Sequence, residues 1–175
     1  MPTTSDKKLA ELILYISDRS ELDPYFGATK LNKILFFSEL SYFAKHERGI
    51  TEQEYIKRDY GPVPRDMATV QKKLVDEGAL VIKETDRDGY KQKKPIALRE
   101  PDLSHFSAEE IDMVDRVMAK LRDHTATDVS ELSHQMLGWE LAKFGQIIPL
   151  YTVFFKRREA TPADNEWAKT ITPHA

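Results

Sequence analysis

Five histidines (His46, His105, His124, His134 and His174) are the side chains best suited to metal or acid–base chemistry, but no two stand at HxH or HxxxH spacing. No cysteine supplements them, so thiolate ligands, disulfides and cysteine nucleophiles are excluded together. Neither GxGxxG nor GxxxxGK[ST] occurs, so no glycine-rich phosphate cradle is indicated. Carboxylates are plentiful but fall on solvated helical faces such as EEIDMVD, from which no catalytic pair stands out. The expectation is a protein without an active site, metal or cofactor.

Two lysines carry more information. Lys30 and Lys33 open a helical pattern, where the helix dipole disfavours cations, and at i, i+3 they repel each other. Either they form a positive patch awaiting an acidic partner group, or they turn inward to pair with acids such as Asp23 or Asp66. A second unusual stretch is Tyr60-Gly-Pro-Val-Pro-Arg-Asp-Met67. Its two prolines restrict four consecutive residues, giving a rigid corner with Tyr60, Arg65 and Asp66 on its rim. Preorganisation of this kind favours docking of a partner.

The elements around these residues read as mainly helical. Leu9, Leu12, Ile13 and Ile16 keep helical spacing behind Ser5 as cap. Thr29 opens a helix apolar on most faces, hence central, which Gly49 ends. Pro64 suits the first position of a third helix, with Met67, Val70 and Leu74 buried and Gly78 after its end. Asp88-Gly89 between two β-prone runs predicts a hairpin, so helix and hairpin together resemble a winged-helix unit. Ser107 and Glu110 form a capping box, and Thr127 caps a short helix after it. A helical turn over Trp139 to Lys143 and an apolar segment after Pro149 follow. A C-terminal helical tail at about 160–172 is anchored by Trp167. The fold class is mainly α (α+β): one domain over 1–175 with a small β-hairpin.

A winged helix raises the alternative of a DNA-binding regulator, its wing presenting Arg87, Lys91, Lys93 and Lys94 to phosphates. Against it stand the net charge of −3 and a candidate recognition helix that mixes Arg65, Lys72 and Lys73 with Asp66, Asp76 and Glu77. Nucleic acid is therefore not expected as the main partner. No apolar run reaches membrane-spanning length and MPTTSDKKLAEL has no signal-peptide core, so a cytoplasmic protein is expected.

Taken together, TKLNKILFF, YGPVP, LSHQMLGWELAKFGQII and TPADNEW resemble the Panacea domain, the SocA-like antitoxin family of phage- and prophage-encoded proteins. The family pattern runs K-L-x-K-L-L-Y/F-F, then Y-G-P-V, then S/T-H…W…G…I. Here Met136-Leu137-Gly138 replaces the usual acidic and proline residues before Trp139. The resemblance implies an antitoxin that binds a cognate toxin encoded beside it. One branch of the family is similar to an adaptor that delivers its toxin to a ClpXP-type protease. The candidate partner-binding residues are Lys30 and Lys33 from the lysine pair, Tyr60, Arg65 and Asp66 from the rigid corner, and His134 and Trp139, which stand in the family pattern.

Overall fold

The computed structural model describes residues 3–87, 89–155, 161–163 and 166. Among the described residues, six α-helices and two antiparallel strand pairs follow one another, the strand pairs flanking the third helix. Helix α1 (Thr4–Arg19) starts two residues earlier than Ser5 as cap suggests, because Thr3 and Asp6 complete a capping box. Helix α2 (Ala28–His46) is the central element and meets α1, α4, α5 and both strand pairs. Its N-cap is Gly27, not Thr29, and it stops at Glu47, whose φ of 56° reverses the chain before Gly49 is reached. Leu31, Ile34, Leu35, Phe36 and Leu40 are buried along it, as the all-round apolar pattern requires.

The next segment departs from the sequence expectation. YGPVP does not open a helix. Strand β1 (Tyr55–Arg58) pairs with β2 (Gly61–Pro64), a second strand pair beside the expected hairpin. The Arg65 amide donates to the Glu54 carbonyl, 2.7 Å, which fixes the parity of the ladder. Pro62 and Pro64 then occupy the positions whose N–H would point away from β1, so neither removes a ladder bond. Helix α3 (Met67–Asp76) begins after Asp66 and buries Met67, Val70 and Leu74; Gly78, at φ 69°, follows its end.

Strands β3 (Leu80–Arg87) and β4 (Tyr90–Ala97) form the expected hairpin. With α3 it packs on α1. Helix α4 (Ala108–Leu121) carries the predicted Ser107–Glu110 capping box. Helix α5 (Ala126–His134) is capped by Thr125, two residues before Thr127, because Asp128 closes its box. A short α6 (Leu137–Leu141) and a 3-10 helix at Leu150–Phe154 complete the order. The predicted tail helix at 160–172, with Trp167, lies largely outside the described residues. Among the described residues no helix is long and apolar enough to cross a membrane.

Candidate functional site: a lysine-braced corner and its apolar rim

Lys33 points inward. It is 1% exposed, and its Nζ donates to the Tyr60 carbonyl in the turn between β1 and β2. Gly61 makes this possible: its φ is +116°, and a Cβ there would stand 2.0 Å from Lys33 Nζ and 2.8 Å from Ser133 Oγ. The Ser130 hydroxyl lies 3.1 Å from the same Tyr60 carbonyl and 2.8 Å from its own Ala126 carbonyl. Ser133 Oγ donates to the Ser130 carbonyl at 2.8 Å. The turn is therefore held from below by α2 and from the side by α5.

The neighbouring layer is aromatic and cationic. The His134 imidazole stacks on Trp139 at 4.3 Å between centroids and 14° between planes. Lys57 Nζ lies 4.5 Å from the centre of the Trp139 ring and donates to the carbonyls of Trp139, 2.8 Å, and Ala142, 3.1 Å, at the end of α6. Ammonium groups suit that end of a helix, where carbonyls are left without intrahelical donors.

Among the described residues no carboxylate pairs with Lys33 or Lys57. Burial of Lys33 without a counter-charge pushes its pKa down to about 8. Burial lowers His134, and the nearby charges of Lys33 and Lys57 lower it further. Its Nε2 is buried without a hydrogen-bond partner. The imidazole is thus held neutral against the indole, and Lys33 is committed to a backbone carbonyl. The cluster positions a turn.

Of the residues expected from sequence, Lys33, Tyr60, His134 and Trp139 come together here. Lys30 does not join them and presents no positive patch: at 1% exposure it donates to Asp23 Oδ2, 2.6 Å, and to the Arg122 carbonyl, 2.7 Å. Asp23 was one of the two acids the sequence offered. The other, Asp66, reaches neither lysine and stays exposed at the start of α3. Arg65 pairs with Glu54 on the strand side. Lys91 and Lys93 stand opposite Asp86 and Glu84 across the hairpin, and Lys94 donates to the Glu21 carbonyl at 2.8 Å. The side chain of Arg87 is outside the described residues.

The turn and the segment after α6 expose several large apolar side chains. Tyr60 is 74% exposed, and Leu141, Phe144, Ile147, Tyr151, Phe154 and Phe155 are each between 45% and 65% exposed. This strip is fastened to β1 by main chain. Gly145 donates to the Lys57 carbonyl and Lys57 to that of Gln146, both 2.9 Å, and Ile148 donates to that of Tyr55 at 2.7 Å. The Arg58 guanidinium lies 5.6 Å from the Phe144 ring centre, linking the strip to the turn. Gly138 lets α6 close on the 3-10 helix, since a Cβ there would stand 2.6 Å from Thr152 Oγ1. Sequence reasoning missed Lys57, Ser130 and Ser133, and it left GQIIPLYTVFF without a role. The one local signal was the density of large apolar residues after Gly145.

The chain matches the family model described as antitoxin SocA-like, Panacea domain, over residues 31–140, well over half its length. It belongs to that family. The matched region of this Panacea domain takes in Lys33, the YGPV turn, His134 and Trp139, hence the whole brace, whereas the apolar strip from Leu141 onward follows it. No curated protein and no solved structure matches the chain.

Proposed function

We propose that this Panacea domain is the antitoxin of a toxin–antitoxin pair and neutralises a cognate toxin by direct protein–protein binding. The observation that carries this reading is the family match together with the surface its brace supports. Seven large apolar side chains stand exposed, Tyr60 on the fixed turn and six between Leu141 and Phe155 on the segment bonded to β1. Exposed apolar surface rich in aromatic residues is what a protein partner buries, and aromatic anchors carry most of the energy of such contacts. Tyr60, Arg65 and Asp66 are the exposed members of the original candidate set, and we assign them to the rim of the interface. Lys33, His134 and Trp139 position it.

We read the chain as a binding protein without catalysis or cofactor, acting in the cytoplasm from a phage or prophage locus. The DNA-binding alternative has less support, because Lys91 and Lys93 stand opposite Asp86 and Glu84 and α3 carries the ion pairs Lys72–Asp76 and Lys73–Glu77 along its surface.

The test is growth rescue. The small open reading frame beside the gene is induced with and without this chain, in cells with and without ClpX, and complex formation is followed by co-purification. Rescue in both strains with a stable complex is the expected result. Rescue that depends on ClpX assigns the chain to the adaptor route instead, and no rescue in either strain overturns the antitoxin reading.

A further inference from the structure

A groove of about 860 Å³ lies between the end of α1, the loop joining α1 to α2, and the C-terminal half of α4. Met118 and Ala119 line it above the buried Ile34, and Leu22 and Tyr25 stand exposed at its margin. Leu22 is 95% exposed. A leucine so placed contributes nothing to the core, and it adds apolar surface where a polar residue would serve the loop equally well.

The rim is acidic. Asp18, Glu21 and Asp123 border the groove and have no ion-pair partner among the described residues. Asp115 accepts from the Tyr15 hydroxyl, 2.8 Å, and lies 3.9 Å from Arg19. Arg122 is the other cation of the lining, and the Lys94 ammonium stands at its margin, 2.8 Å from the Glu21 carbonyl. Beneath it Lys30 joins the two walls, with one bond to Asp23 in the loop and one to the Arg122 carbonyl at the end of α4. The groove is thereby set before anything enters it, which reduces the ordering cost of docking.

We infer that this groove docks a basic amphipathic segment of a partner protein. Apolar side chains of the segment seat on Met118 and Ala119 beside Leu22 and Tyr25, and its lysines or arginines face Asp18, Glu21 and Asp123. Charge complementarity selects a basic segment over an acidic or neutral one. The pairing of an apolar floor with a charged rim is that of helix-in-groove recognition. The inference goes beyond the antitoxin reading and does not need it.

The experiment uses the full chain and two labelled helical probes of about 14 residues, one of leucine and lysine, the other of leucine and glutamate, followed by fluorescence anisotropy at ~0.15 M salt. The expected result is binding of the Leu/Lys probe at least about ten-fold tighter than the Leu/Glu probe. Asp18→Lys with Asp123→Lys then weakens it at least about ten-fold, Leu22→Ser weakens it measurably, and the control pair Glu100→Lys with Glu131→Lys changes it less than about two-fold. All three variants alter exposed side chains, and unchanged melting confirms their folding. Equal loss in the control pair means diffuse attraction to an acidic protein and overturns the proposal. So does equal binding of the Leu/Glu probe, or a self-associated chain that Leu22→Ser returns to monomer. Because the probe is synthetic, failure of toxin rescue leaves this result standing.

Discussion

Gly61 and Lys33 share one volume: a Cβ on Gly61 would stand 2.0 Å from the Lys33 ammonium. The turn at YGPV is thus built around a charge that belongs to a helix 27 residues earlier in the chain. Gly61→Ala meets two penalties, the φ of +116° and the clash. We expect it to cost about 2–4 kcal/mol, read as a melting temperature lower by roughly 4–15 °C for a chain of this size. Lys33→Ala in the same chain removes the clash with the lysine but neither the strain nor the 2.8 Å approach to Ser133 Oγ, so the double variant is expected to lose less than the sum of the two single changes.

Lys33 also predicts a pH dependence. Its folded pKa is about 8 against an ordinary value of 10.5. Between those values the unfolded chain holds more protons than the folded one, so this group makes stability rise with pH from about 8 toward 10.5. Its largest slope is near 1.4 kcal/mol per pH unit. The difference between wild type and Lys33→Met in urea melts at pH 8 and pH 10 isolates it. A constant difference refutes the buried, uncompensated charge.

His134 gives the opposite edge of the pH range. Its folded pKa is depressed, so its contribution is present above the unfolded value of 6.5 and is lost as pH falls through the folded one. Protonation places a third cation beside Lys33 and Lys57. In a Trp167→Phe background, Trp139 fluorescence is expected to change on acidification below pH 6.5, and His134→Phe to abolish that change.

Phe144→Asp with Tyr151→Asp alters two exposed rings and leaves the brace untouched. We expect stability within about 0.5 kcal/mol per site and loss of toxin rescue. Intact rescue removes the apolar strip from the interface.

Phe36 is 1% exposed and packs at 5.3 Å from the Tyr55 ring. Phe36→Ala is expected to cost about 3–5 kcal/mol by chemical denaturation. A loss below about 1 kcal/mol is incompatible with its place in the core.

The sequence made the periodic parts legible. Leu9 to Ile16, the greasy run from Leu31 to Leu40, the Ser107 box and the Asp88-Gly89 turn each rest on residues within a few positions of one another. What it concealed depends on distance. Lys30 has a local acid, Asp23, that the sequence offers, but its second acceptor is 92 residues away and that of Lys33 is 27 away, so nothing local shows what Lys33 turns inward to hold. Pro64 failed as a helix start for a related reason. A proline after an extended residue fits a first helical turn and an outward-facing strand position equally well, and only the partner strand decides. The caps at Thr3 and Thr125 were displaced by two residues because each capping box needed its acid, Asp6 or Asp128, at the third position.

Pro62 and Pro64 leave the outer edge of β2 without two of its donors, while the far side of β1 is already occupied by the main chain at 145–148. The small sheet therefore has no edge on which another molecule's strand could be templated. A protein that exposes this many aromatic side chains next to a β-hairpin runs a hazard of fibrous self-association. Here the prolines block the backbone route, so the adhesive surface can be displayed in water while growth of the sheet is denied.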